Sequence, residues 1–240
     1  MCVICVKKAG VELPSNDLLK EMWIKNPDGA GYMWNSDGVV HIHKGFMTFE
    51  ALLNDLAKAN LTKDDNIIYH FRISTQAKTR EMTHPFPLTS NIINTKKLYT
   101  YAKMGVVHNG IINLTSNPLE KEYSDTALFV ANYMTRLIKS MDDVKDPIIQ
   151  NIIENLIDGS KIATLDLNGN IEMIGSWQQE NGLYFSNMYF KPFDYSKYYI
   201  GKYWDDDYDD DWFNNFVNRK RNYKAYGNYK NKSKKHEIKS

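Results

Sequence analysis

Cysteine is almost missing from this chain: there are two in 240 residues, Cys2 and Cys5. Two cysteines so close in an extended segment cannot bridge each other, and two alone build no disulfide framework. Long apolar runs are missing too. Every hydrophobic stretch is cut by charge well short of the ~20 residues a helix needs to cross a bilayer. An excess of one charge is also lacking, with Lys+Arg 30 against Asp+Glu 29 and a net charge of +1. That balance excludes a protein basic throughout, of the kind that coats nucleic acid. No basic segment precedes the opening Met-Cys-Val-Ile-Cys-Val, so the N-terminus does not read as a secretory signal. The expectation is a reduced, soluble, cytoplasmic protein with no membrane partner. Hydrophobic content of 42% with 13% aromatic residues suffices for a packed core.

The patterning that is present is that of a layered α+β domain. Residues 2–8 are rich in Val and Ile and read as a buried strand. Ser15 or Asn16 caps a short helix through Leu18, Leu19 and Met22. The segment Asn26-Pro27-Asp28-Gly29-Ala30-Gly31 is dense in turn residues. Tyr32–Trp34 and Val39–His43 flank Asn35-Ser36-Asp37-Gly38 as a hairpin. Thr48 caps a helix with Phe49, Leu52, Leu53 and Leu56 on one face. Ile67–Ile73 and Leu98–Val107 read as strands. Ser124 caps a long helix with Leu128, Ala131, Met134, Leu137 and Ile138 inward. Pro147 opens another, through Ile152, Ile153 and Leu156. Lys161–Asp166 and Ile171–Trp177 form a hairpin around Asn168-Gly169, and Leu183–Ser186 is a last strand.

Composition shifts after about residue 190. Residues 205–211 are an acidic block around Tyr208, and Arg219 to Lys235 is basic, with Tyr223, Tyr226 and Tyr229 interleaved. Like-charge blocks repel themselves. The expected organisation is a domain over 1–195 and a charged tail of low order over 196–240. Mutual neutralisation of the two blocks is the plainer reading of the tail. Its basic stretch also suits a partner protein or single-stranded nucleic acid, with tyrosines for stacking.

Cys2 is the first chemical candidate. Removal of Met1 by methionine aminopeptidase leaves Cys2 with a free α-amine beside its own thiol. An α-amine has a pKa of ~7.7–8.0, so part of it is a free base at neutral pH. It can take the thiol proton and leave a thiolate nucleophile without help from histidine. The competing reading of Cys2 is a small buried hydrophobe. Cys2-Val3-Ile4-Cys5 also has the C-x2-C spacing of a zinc site, with His41 and His43 as further imidazoles. A zinc knuckle needs a tight turn between its cysteines, however, and Val-Ile is strand material. Neither a metal nor another cofactor is expected.

Four further segments follow in order. His70-Phe71-Arg72-Ile73-Ser74-Thr75 ends a strand, and Glu81-Met82-Thr83-His84-Pro85-Phe86 comes soon after. Gly105-Val106-Val107-His108-Asn109-Gly110-Ile111-Ile112-Asn113 ends another strand. Tyr123-Ser124-Asp125-Thr126 opens a helix. Behind an N-terminal Cys and a Pro-Asp-Gly-x-Gly loop, this series resembles the class II glutamine amidotransferase domain, in a stand-alone form. That family belongs to the N-terminal-nucleophile hydrolases.

The resemblance spans about residues 2 to 190 and implies a four-layer αββα sandwich with two mainly antiparallel sheets. It implies that Cys2 attacks the side-chain amide of glutamine and releases ammonia through a γ-glutamyl thioester. It implies an oxyanion hole from the Asn109 side chain and the Gly110 N–H. Arg72 would hold the glutamine α-carboxylate, assisted by the Thr75 hydroxyl, and Asp125 the α-ammonium. His70, His84 and His108 read as structural hydrogen-bonders, because the base sits on the N-terminus. Pro27, Asp28 and Gly29 shape a loop, and Asn113 supports the segment after Gly110.

Val3 stands where the family usually has Gly, and Ile73 and Gln76 where many members carry an aromatic residue and a His. A different γ-glutamyl or small amide substrate, or a binding role on a retired fold, are the alternatives. Ammonia would pass to an acceptor or synthase on a separate protein, since a charged tail offers no second domain. The abundance of Lys, Asn, Ile and Tyr fits an AT-rich genome, which for a viral source means host cytoplasm.

Overall fold

The computed structural model describes residues 1–74, 79–113 and 122–191. Thr75, Gln76 and the acidic and basic blocks lie outside the described residues. The strands are β1 (Val3–Lys7), β2 (Ala30–Ser36), β3 (Val39–Phe46), β4 (Ile67–Phe71), β5 (Phe86–Pro87), β6 (Tyr99–Ala102), β7 (Met104–Asn109), β8 (Lys161–Asp166), β9 (Ile171–Ile174), β10 (Gln178–Glu180) and β11 (Leu183–Phe185). They form a seven-stranded sheet, β10-β11-β1-β4-β2-β3-β6, and a four-stranded sheet, β5-β7-β8-β9. Every pairing is antiparallel.

Side-chain alternation sorts the strand residues into layers. In β1, Val3 and Cys5 face a core that also holds Leu19, Met22 and Leu52 of the helices α1 (Asn16–Lys25) and α2 (Phe49–Ala59). Ile4 and Val6 face the opposite way, against Val107, Ala163 and Leu165 of the four-stranded sheet. The outer face of that second sheet, with Val106 and Ile162, is covered by Phe129, Met134, Val144, Ile153 and Ile157. Helix, sheet, sheet and helix thus follow in four layers. Full burial of each aliphatic side chain in these layers stabilises by roughly 1.5–3 kcal/mol.

The caps agree with the sequence. Ser15 Oγ accepts from the Leu18 N–H at 3.2 Å, and Thr48 Oγ1 from the Ala51 N–H at 3.2 Å. Ser124 Oγ accepts from the Ala127 N–H at 3.2 Å, opening α3 (Asp125–Phe129).

Two expectations need correction. Leu98–Val107 is two strands, not one: β6 pairs with β3, whereas β7 pairs with β5 and β8 in the other sheet. Tyr99 and Tyr101 of β6 are exposed, while every residue of β7 is buried, so one apolar run conceals a crossing between sheets. The long helix from Ser124 is broken by a π-helical stretch, Val130–Met134, before the short α4 (Thr135–Leu137). After α5 (Met141–Lys145), α6 (Pro147–Ile157) opens at Pro147 as expected and buries Ile153 and Ile157, whereas Ile152 and Leu156 are exposed.

Among the described residues, Lys7 and Lys44 are fully buried. Lys7 donates to the carbonyls of Thr62, Lys63 and Asp65. Lys44 donates to Glu81 O at 2.8 Å and Thr95 O at 2.5 Å, with its Nζ 4.0 Å from the centre of the Phe86 ring. Each ammonium gathers loop carbonyls and so pins a loop to the sheet. The loop Lys44 holds is the one that carries His84.

Candidate active site

The register of β1 against β4, Val3 opposite Phe71, sets Cys2 beside Arg72 at the end of both strands. The Ile73 N–H donates to Cys2 Sγ at 3.4 Å, and the thiol faces Ile73 O at 3.5 Å. Burial pushes the Cys2 thiol above its usual pKa. The Ile73 N–H, the positive chain terminus and Arg72 oppose that rise. The Cys2 carbonyl accepts from Asn187 Nδ2 at 2.7 Å, which ties the nucleophile candidate to the segment after β11. Cys5, three residues on, is fully buried in the helix-facing core with its pKa raised by burial, so it is inert by comparison.

Asn109 closes β7 on the face shared with Val107, so it points between the sheets, as Ile4 does. Asn109 Nδ2 donates to Ser186 Oγ at 2.8 Å. Gly110 follows with φ of +150°, and a Cβ there would meet Ser160 Oγ at 1.9 Å. No side chain fits, so glycine is required by both conformation and space.

Two adjoining cavities meet at Cys2. One of about 390 Å³ is lined by Met1, Cys2, Asn109, Gly110, Asn113 and Ser160, among others. The other, about 80 Å³, is lined by Cys2, Arg72, Gly110, Asp125, His84 and His108, among others. The sequence-predicted residues Cys2, Arg72, Asn109, Gly110 and Asp125 therefore converge from four separate segments. Thr75 lies outside the described residues.

Arg72 is buried, with Nη1 donating to Thr79 O at 3.2 Å, and burial lowers its pKa against the opposing influence of Cys2, Asp28 and Asp125. Its backbone is zipped to the turn-rich loop: the Asp28 N–H donates to Arg72 O and the Arg72 N–H to Gly29 O, at 3.0 and 2.8 Å. Asp28 Oδ2 accepts from the Ser74 N–H at 2.9 Å, so the loop does shape this wall. Asp125 Oδ2 accepts from the Ile112 N–H at 2.8 Å and Oδ1 from the Thr126 N–H at 2.7 Å. Asp125 thus also anchors the segment just after Gly110.

The three histidines are buried together. His70 Nε2 donates to His108 O at 3.1 Å, and His108 Nδ1 lies 2.9 Å from Thr126 Oγ1. His84, with its ring centroid 4.2 Å from that of His70, has no hydrogen-bond partner at either nitrogen among the described residues. That corrects its reading as a hydrogen-bonder. Burial lowers His70 to about 3 and His108 to about 4, and burial together with the neighbouring His70, His108, Arg72 and Lys44 holds His84 well below its usual value.

Sequence reading missed Ser186, Asn187 and Ser160. Ser186 was assigned only as the end of a strand. No local signal marks these three residues, because each acts on a segment far away in sequence.

No family model matches the chain, and no curated protein matches it. Among solved structures, the chain is similar to the glutamine phosphoribosylpyrophosphate amidotransferase of B. subtilis in complex with ADP and GMP, with a TM-score of 0.47 and 15% identity. The likeness covers 77% of this chain and 41% of that one, so the chain spans about two fifths of that protein's length. Among the described residues, no helix is long and apolar enough to cross a membrane.

Proposed function

We propose that the chain is an amidohydrolase of the class II glutamine amidotransferase type, on an N-terminal-nucleophile sandwich, with Cys2 as nucleophile and glutamine as substrate. The observation that carries this reading is the convergence of Cys2, Asn109, Gly110, Arg72 and Asp125 on the adjoining cavities. A nucleophile, two oxyanion donors, a guanidinium for a carboxylate and a carboxylate for an ammonium are what hydrolysis of an amino-acid side-chain amide requires.

In this reading Met1 is removed first, which frees the Cys2 amine and enlarges the cavity that Met1 lines. The base is then the α-amine, acting through a water. His108, lowered to about 4, is too weak a base to deprotonate a thiol whose own pKa is raised. The thiolate attacks the side-chain carbonyl carbon of glutamine. The oxyanion is held by Asn109 Nδ2 and the Gly110 N–H, and the ammonium form of the amine returns a proton to the leaving nitrogen. Ammonia departs, and water hydrolyses the γ-glutamyl thioester to glutamate and free Cys2. Arg72 takes the substrate α-carboxylate by its planar fork, Asp125 takes the α-ammonium, and Thr75 assists.

The test is ammonia release from a panel of amides by Met1-free protein. Glutamine turned over well above asparagine and N-substituted γ-glutamyl amides is the expected result. Release from another amide only would reassign the substrate, and no release from any would remove the enzyme reading.

A further inference from the structure

Ser186 sits just past β11, and Asn109 ends β7 in the other sheet. Ser186 Oγ is 2% exposed as a residue and lies 2.9 Å from the Ile4 N–H, which donates to it, and 2.8 Å from Asn109 Nδ2. With both lone pairs occupied by donors, the hydroxyl hydrogen is left over. On the other edge of the same amide, Asn109 Oδ1 is buried with no partner among the described residues. One buried acceptor without a donor and one hydroxyl proton without an acceptor sit on either side of a single rotatable amide. Turning the amide by 180° about its Cβ–Cγ bond keeps its shape, gives each of these two groups the other as partner, and puts Nδ2 in the position Oδ1 leaves, where its acceptor has to come from a bound molecule. Ser186 then accepts from Ile4 N–H and donates to Asn109 Oδ1, while Nδ2 moves to the edge away from Ser186.

We propose that Ser186 is a positioning residue for the oxyanion hole: it selects the Asn109 rotamer that presents Nδ2 to the reacting carbonyl oxygen. The inference rests on the amidohydrolase reading above. The Ile4 N–H narrows the direction of the Ser186 proton: with one lone pair accepting there, the hydrogen is kept off Ile4 and can turn toward Asn109. Asn187, the next residue, donates to the Cys2 carbonyl at 2.7 Å. The two residues after β11 therefore hold the nucleophile's backbone and the oxyanion donor in one frame. A loose amide at this position spends part of its time offering an oxygen to an oxyanion, which repels it, so the loss falls on the transition state rather than on substrate binding.

The experiment is steady-state glutaminase kinetics on Met1-free protein with Ser186→Ala, Ser186→Cys, Ser186→Thr, Asn109→Ala and the Ser186→Ala/Asn109→Ala pair, each with a thermal melt. Ser186→Ala is expected to lower kcat about 10–100-fold with KM within about twofold. Ser186→Cys, near-isosteric but a weak donor, gives the same loss and serves if the alanine variant does not fold. Ser186→Thr, which keeps the hydroxyl, retains most of kcat. In the Asn109→Ala background the Ser186 change adds less than about twofold, because the partner it positions is gone. Losses that multiply in the double variant, or a Ser186→Ala kcat within about twofold of wild type, overturn the proposal. Wild-type protein with no glutaminase activity overturns the amidohydrolase reading itself, and this inference with it.

Discussion

The backbone N–H of Ile73 lies 3.4 Å from the sulfur of Cys2, across 71 residues of sequence. A sulfur that receives a backbone donor is prepared to carry negative charge, yet burial raises its pKa overall. On the proposed mechanism the thiolate is therefore made by a base at the moment of reaction. With Met1 in place, thiol alkylation at Cys2 should be slow at neutral pH and rise with pH through a range above that of an ordinary cysteine. Removal of Met1 should bring the rise to lower pH. Identical pH profiles for the two forms would show that the amine plays no part in activation.

Arg72 and Asn109 should fail in different ways. Arg72→Ala removes a contact made to substrate in the ground state and transition state alike, so KM for glutamine should rise with a smaller change in kcat. Asn109→Ala removes an oxyanion donor, and kcat should drop about 100–1000-fold. Equal effects on KM would contradict the assignment, as read from initial-rate kinetics over a glutamine series.

Gly110 offers a structural test. A methyl group there overlaps Ser160, with 1.9 Å to its Oγ and 2.4 Å to its Cβ, at a φ that L-residues rarely adopt. Gly110→Ala should destabilise by about 2–5 kcal/mol in urea unfolding, from strain and overpacking together. Adding Ser160→Gly should recover part of that. A neutral Gly110→Ala would mean the segment after β7 is not held as described.

The buried histidines make stability depend on pH. In the unfolded chain each imidazole titrates near ~6.5, whereas folding lowers His70 to about 3 and His108 to about 4, with His84 also lowered. Arg72 and Lys44 oppose protonation of His84, and Asp125 favours that of His108. Below ~6.5 the unfolded state takes up protons that the folded state refuses, so stability falls as pH falls, by up to about 1.4 kcal/mol per pH unit for each histidine. Tm should decline steeply from pH 6.5 to 4.5. A flat Tm across that window would contradict the burial of these rings as neutral imidazoles.

The charged segment beyond residue 195 is expected to be dispensable for the domain, because an acidic block cannot enter a core. Truncation there should leave glutaminase activity and Tm nearly unchanged. If the basic stretch docks on nucleic acid or a partner, full-length protein should bind with an affinity that falls steeply with salt, and the truncated form should not. Unfolding of the truncated chain would move the boundary.

Much of the site was legible because its residues sit at strand ends and helix starts that local pattern marks. Arg72 follows a strand of isoleucine and aromatic residues, Asn109-Gly110 ends another, and Asp125 follows a capping Ser124. What was hidden depends on long-range pairing. The run from Leu98 to Val107 carries no sign that it changes sheets at Lys103. Ser160, Ser186 and Asn187 act across dozens of residues or more, and a lone serine or asparagine outside a cap or turn has no periodicity to betray it. In α6, Ile152, Ile153, Leu156 and Ile157 are all apolar, which leaves the choice of buried stripe to tertiary packing.

The central claim is that Cys2, as the first residue of the mature chain, is the nucleophile. Intact mass and peptide mapping of untagged protein treated with 6-diazo-5-oxo-norleucine test it most directly. The account predicts loss of Met1, one covalent adduct on Cys2 with parallel loss of glutaminase activity, and no adduct on Cys2→Ala. Cys5→Ala should label as wild type does. An adduct on Cys5, or full labelling and activity in protein that retains Met1, would contradict it.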